Sequence, residues 1–168
     1  MAHYFITGAS SGIGAALAVQ LTAAGHQVSA VARRQQRLAT LSEQLDAFHG
    51  YVADVGDAAS LATAINKAKA ESGTIDVAIL NAGIYQPQDG TKIDPQIYAN
   101  HMTINYLGVV NALAGLVPDM VRDGKGHIAI VSSVAGWRGL PKSAAYGPTK
   151  AALISLAESL YFDLAPHG

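Results

Sequence analysis

The sequence predicts a doubly wound α/β fold around a parallel sheet, and three observations carry that expectation. Apolar runs alternate with helical patterns from end to end, with no linker, low-complexity tract or repeat between them. Residues 77–81 (VAILN) and 127–131 (HIAIV) are almost uniformly apolar, as strands covered on both faces are. The residues with chemistry to offer fall just after such runs, where open α/β sheets bind ligands beyond the carboxyl ends of their strands.

The elements come in order along the chain. Residues 3–7 read as the first strand, then a Gly-rich turn and a helix to about Ala24, with Gly25 as a C-cap. Residues 28–32 make the second strand, 35–45 a polar helix, 48–52 the third strand, and 58–71 a helix that ends at Gly73. Residues 75–80 form a fourth strand; a loop over 84–93 precedes a long helix over 96–122. Residues 127–131 are the fifth strand, and a helix over about 144–164 closes the chain. Strands joined by helical crossovers pair in parallel, because the right-handed connection lays each helix back on a sheet face.

A chain of 168 residues is long enough for one domain with a real core and short for two, so a single domain is expected. A formal net charge of -1 leaves no electrostatic footprint for nucleic acid or anionic lipid. The absence of cysteine excludes disulfides and thiolate metal sites, and the six histidines show no paired ligand spacing, so no metal is expected. Met1 runs straight into a strand without a basic leader or cleavage site, and no apolar stretch reaches about 18 residues. The expectation is a soluble, cytoplasmic protein without membrane or nucleic-acid partners.

The first strand ends in Thr7-Gly8-Ala9-Ser10-Ser11-Gly12-Ile13-Gly14. Glycines let a backbone turn tightly and approach a pyrophosphate, and the free N–H groups of a helix start favour its charge. The same stretch contains G-x-S-x-G, the pattern of a hydrolase nucleophile elbow with Ser10 as nucleophile. A hydrolase needs earlier strands to supply oxyanion donors, and here none precedes the motif, so that reading is remote. After the second strand stand Arg33 and Arg34 with no acid. A carboxylate there would accept bonds from a ribose 2′-OH, whereas an arginine fork suits a phosphate, so NADP is favoured over NAD. The bland reading is a solvated basic helix start.

Tyr146 and Lys150 stand four apart, on one face of a helix if the helix has formed by then. Pro148 is tolerated only near a helix start, which puts Tyr146 in or just before the first turn. A phenol ionises near pH 10, and working near pH 7 asks for roughly 4 kcal/mol; one positive charge about 4 Å away supplies about that much at an effective dielectric near 20. Ser133 follows the fifth strand, on the same sheet edge, where its hydroxyl can donate to a carbonyl while Tyr146 gives or takes the proton. Each has a bland counterpart: Ser133 could cap a turn, Tyr146 could be core, and Lys150 could lie on the surface. Tyr85, Trp137 and Leu140, which also follow strands, suggest an apolar wall, with packing against another subunit as the other reading of Trp137.

On these motifs, TGxxxGxG at residues 7–14, N-A-G at Asn81-Ala82-Gly83, Asn105 in the long helix, Ser133, and Y-x-x-x-K from Tyr146 to Lys150, the chain resembles the short-chain dehydrogenase/reductase family along its whole length. The resemblance implies a Rossmann fold with strand order 3-2-1-4-5 and hydride transfer between NADP and a carbonyl or secondary-alcohol substrate. It implies Tyr146 as acid/base, Lys150 as the residue that acidifies it and holds the nicotinamide ribose, and Ser133 as the group orienting the carbonyl. Asn105 would kink its helix and link the lysine through water to a proton relay. Gly8, Ser10, Ser11, Gly12, Ile13 and Gly14 would hold the cofactor's phosphates, Arg33 and Arg34 the 2′-phosphate, Asp54 and Val55 the adenine, and Asn81, Ala82 and Gly83 would line the cofactor. Small residues on the last two helices (Ala112, Ala114, Ala151, Ala152, Ala157) and the family's habit point to a homodimer or homotetramer. The alternative is a non-catalytic NADP-binding sensor or scaffold. Members of the family usually continue past the Y-x-x-x-K helix through two further strands, so the expectation is a C-terminally incomplete domain and an intact active protein longer than 168 residues.

Overall fold

The computed structural model describes residues 1–168. Five strands, β1 (His3–Thr7), β2 (Gln27–Ala32), β3 (Phe48–Val52), β4 (Val77–Leu80) and β5 (His127–Ile130), form one sheet in the order β3-β2-β1-β4-β5. Every pairing is parallel. Helices α1 (Gly12–Ala23) and α2 (Gln35–Gln44) cover one face; α3 (Ala58–Ser72), the long helical run over residues 95–123 and α6 (Gly147–Leu164) cover the other. This is the doubly wound Rossmann-like arrangement and the strand order expected. Thr7 lies opposite both Val31 and Leu80, and Leu80 opposite Ile130, so the strands end level. Gly8, Arg33, Asn81 and Ser133 therefore emerge along one edge.

The two faces are unequal. Eighteen buried residues, among them Phe5, Leu61, Ile65, Leu80, Leu116 and Leu153, form the core under α3 and the long helical run, against eight, including Ile6, Val28, Leu38 and Phe48, under α1 and α2. Fully burying one such side chain contributes about 1.5–3 kcal/mol, so the larger core anchors β4, β5 and the helices packed over them.

Helix ends obey the sequence chemistry. Gly25, at φ 80, sits one residue beyond the cap rather than at it: its N–H bonds to Thr22 O and that of His26 to Leu21 O, a Schellman closure. Asp57 and Asp94 cap α3 and α4 (Pro95–His101) through their carboxylates. The fourth strand begins two residues later than expected and α6 begins at Gly147 rather than Ala144, because Tyr146 and Gly147 close turns onto Ser143 O.

The helix expected over residues 96–122 is three pieces: α4, a π-helical segment over Met102–Leu107, and α5 (Gly108–Asp123). An inserted π turn displaces the helix register and marks a place where side chains bond outside the helix. Together they make a 29-residue run long and apolar enough to cross a bilayer, contrary to the reading that no such stretch exists. In the fold this run packs Val109, Leu113, Leu116 and Met120 into the larger core.

Candidate active site

The edge divides into two halves. In the first, the Thr7 hydroxyl accepts the N–H groups of Asn81 and Ala82, each at 3.0 Å, and the Asn81 amide donates back to Thr7 O (3.2 Å) and Gly8 O (3.4 Å). These bonds stitch the glycine loop to the end of β4. Gly14 is needed where it stands, since a Cβ there would lie 2.6 Å from Gly8 O. A groove of about 440 Å³ runs over this edge, bounded by Gly8, Ser10, Ser11 and Ile13, by Arg33, Arg34, Asp54 and Val55, and by Asn81, Ala82 and Gly83. Its floor includes the start of α1, which no side chain caps. Uncapped N–H groups at a helix start, a loop without bulky side chains and a nearby guanidinium are the donors a dinucleotide's phosphates require, so the residues fit a nicotinamide dinucleotide.

The arginines divide their work. Arg34 lies across the glycine loop, with Nη2 donating to Ser10 Oγ at 2.8 Å and Ser11 Oγ at 2.6 Å, and Nε to Ser10 Oγ at 3.1 Å. Arg33 instead pairs with Asp54 at 3.8 Å, both side chains exposed. Asp54 also accepts the Gly56 N–H at 2.9 Å. The Ser10 hydroxyl is engaged by an arginine and has no histidine or carboxylate partner, which leaves it nothing to act as a base and removes the hydrolase reading.

In the second half, Tyr146 occupies the N-cap of α6, and Lys150 lies one turn on, its N–H bonded to Tyr146 O at 3.3 Å. The Lys150 ammonium sits 5.6 Å from the Tyr146 ring centroid and donates to Val131 O at 2.8 Å. It is 3% exposed, no carboxylate pairs with it, and burial pushes its pKa down. Ser133 opens a single 3₁₀ turn over Val134–Gly136 and accepts the Ala135 N–H at 3.2 Å, so the capping reading holds in this geometry. That turn packs on α6 without room to spare: a Cβ on Gly136 would lie 2.8 Å from the Lys150 carbonyl carbon. Ser132 Oγ donates to Lys150 O at 2.9 Å and tightens the same junction.

Asn105 is fully buried in the π segment. Its Oδ1 accepts the Ile84 N–H (2.7 Å), and its Nδ2 donates to Ile84 O (3.0 Å) and Thr149 Oγ1 (3.1 Å). Thr149 in turn donates to Tyr146 O at 2.7 Å. The helix is irregular at Asn105 as expected, and the amide bonds the start of α6 directly through Thr149.

Sequence reasoning missed Thr149, Gly136 and the two buried polar residues His101 and Gln88. A β-branched hydroxyl between Pro148 and Lys150 in a first helical turn was the one available signal for Thr149. It also placed Ala112 on an interface stripe, whereas that residue is fully buried in the larger core. Tyr85, named only as a wall, has its ring 5.1 Å from that of Tyr146 at 63°.

A nucleotide groove and a tyrosine–lysine pair on one edge of a doubly wound sheet define the dinucleotide-dependent class of α/β proteins. A family profile described as short chain dehydrogenase matches residues 2–168, and the chain belongs to that family. An uncharacterized oxidoreductase of Myxococcus xanthus is 35% identical over 167 residues, which cover 97% of this chain and 66% of that protein. A short-chain dehydrogenase from Streptomyces avermitilis superposes with a TM-score of 0.94 at 31% identity, over 99% of this chain and 62% of that one. A serine dehydrogenase in complex with NADP+ superposes with a TM-score of 0.92 at 29% identity, over 96% of this chain and 66% of its own. The chain thus spans somewhat less than two thirds of the length of these relatives.

Proposed function

We propose that the protein is an NADP-dependent oxidoreductase acting between a carbonyl and the corresponding secondary alcohol, with Tyr146 as acid/base. The observation that carries this reading is Lys150: a buried ammonium held by one backbone carbonyl, without a counter-charge, beside a tyrosine ring. An uncompensated buried cation costs stability, and such groups concentrate where chemistry needs charge. Its free N–H donors favour negative charge as it develops on the Tyr146 oxygen and suit the hydroxyls of a ribose. Ser133 orients the substrate carbonyl; the Asn105–Thr149 chain holds the backbone of Tyr146.

Bound nicotinamide supplies or accepts the hydride. Gly8, Ser10, Ser11, Gly12, Ile13 and Gly14 would hold the dinucleotide's phosphates, Asp54 and Val55 would flank its adenine, and Asn81, Ala82 and Gly83 would line its remaining length. Preference for NADP is supported by Arg34, whose guanidinium already bridges the two loop serines, and by the absence of an acid after β2. Arg33 reinforces the charge. A homodimer is part of the proposal, supported by Tyr161 and Phe162, 69% and 75% exposed on α6.

Carbonyl-dependent oxidation of NADPH across an aldehyde and ketone panel tests the reading. Tyr146→Phe is expected to lower turnover about a thousandfold while NADPH binding changes by no more than about twofold. Turnover that survives this substitution would remove Tyr146 from the chemistry.

A further inference from the structure

The segment after β4 is extended and carries no regular secondary structure, yet alternate residues along it are pinned by buried side chains. Ile84 is held at both N–H and C=O by Asn105. The Gln86 N–H donates to His101 Nε2 at 3.1 Å. Gln88, 7% exposed, donates its N–H to Lys142 O at 2.9 Å and its amide to the carbonyls of Gln86 (3.2 Å) and Pro87 (3.0 Å). Lys142 is the one non-glycine residue with positive φ, at 60°, so the partner segment is held in an unusual conformation at the contact.

His101 is fully buried at the end of α4, and its ring is fixed by what it touches. A backbone N–H can only donate and a carbonyl can only accept, so Nε2 accepts from Gln86 and Nδ1–H donates to Ile97 O at 2.8 Å. Between the pinned residues 84 and 86 stands Tyr85. Its ring meets that of Tyr146 edge-on and is still 52% exposed. Across the Gln88–Lys142 tie, Trp137 and Leu140 are 79% and 39% exposed.

We propose that Tyr85 is a specificity-determining residue and His101 a positioning residue that, through the Gln86 N–H, holds the Tyr85 ring as a rigid wall beside Tyr146, so that the cleft selects carbonyl compounds bearing a flat, apolar, aryl-type substituent. This rests on the function proposed above. An aromatic wall gains from stacked or edge-on contact only when it is held in place, since a mobile ring gives back in ordering what it gains in contact.

The test has one arm that needs no turnover. In the full-length protein, His101→Leu exposes the Gln86 amide, and its hydrogen exchange by NMR accelerates about fivefold or more, while His101→Gln, whose side-chain oxygen accepts the same N–H, keeps the protection. In the kinetic arm, with NADPH, the wild type prefers acetophenone over 2-octanone by about tenfold in kcat/KM. Tyr85→Ala removes that preference and Tyr85→Phe retains it. His101→Leu raises the acetophenone KM about tenfold with kcat within about twofold, and His101→Gln restores it. Equal protection of Gln86 in His101→Leu, or an equal loss of kcat with both ketones, overturns the positioning role. A wild type that binds NADPH and reduces neither ketone overturns the substrate class. A wild type that binds no NADPH overturns the proposed function instead, and the exchange arm still decides the clamp. Tyr85→Ala alters an exposed side chain, so its result does not depend on a variant that fails to fold.

Discussion

At the ends of β1 and β2 the ligand edge is made, apart from the buried Thr7, of backbone and exposed side chains, whereas at the ends of β4 and β5 it is built on the buried polar groups Asn105, Thr149 and Lys150. Arg33 and Arg34 are both exposed, Arg34 over the glycine loop and Arg33 against Asp54. Asn105, Thr149 and Lys150 are 0%, 0% and 3% exposed, and between them they bond Ile84, Tyr146 and Val131. The first half presents donors to a ligand, and the side chains that shape it are Thr7 and Asn81, which tie the glycine loop to the end of β4. The second half is shaped by buried side chains, and removing one leaves its partly buried partners unpaired.

The largest expected effect of that difference is at Asn105. Asn105→Leu leaves the Ile84 N–H and C=O without partners and is expected to lower stability by about 3 kcal/mol, read by urea denaturation. A loss below about 0.5 kcal/mol would erase the contrast between the halves.

Arg34→Ala sharpens it from the other side. Stability is expected to stay within about 0.5 kcal/mol, because the side chain is exposed, while the dissociation constant for NADPH rises about tenfold and that for NADH barely moves, measured by calorimetry. Equal weakening of both cofactors would assign the 2′-phosphate contact elsewhere.

The smallest effect has an unusual sign. Lys150→Met removes an unpaired buried charge and is expected to raise stability by about 1 kcal/mol at neutral pH while turnover is lost. Burial holds the folded-state pKa of Lys150 below its ordinary 10.5, so between the two values the unfolded chain binds the extra proton. Stability in the wild type should therefore rise with pH through that window towards 10.5, and Lys150→Met should flatten the rise. Denaturation midpoints across alkaline pH check both statements.

Much of the frame is legible in the sequence, and the reasons are local. Strands β1, β2, β4 and β5 announce themselves as largely apolar runs beside glycine or polar residues, and the glycine loop and the Tyr146–Lys150 spacing each need only one turn of chain to be read. The long helix reads as one piece because its period is continuous; the π segment exists because Asn105 bonds Ile84, 21 residues away. Both arginines stand out in the sequence, yet which one reaches the loop depends on two rotamers and on Asp54, which arrives from β3. Thr149 looks like any residue of a helix start. Its role appears only when Asn105 packs beside it.

The sequence by itself determined the alternation of strands and helices, the parallel sheet, the glycine turn and the pair of residues four apart, because each rests on periodicity or on the stereochemistry of neighbours. The tertiary structure alone decided that Lys150 is buried without a counter-ion, that Arg34 and not Arg33 spans the loop, and that His101, Asn105 and Gln88 fix the segment carrying Tyr85. Those facts are contacts between groups far apart in the chain, and a buried polar group reveals its partner only when the fold has excluded water from around both.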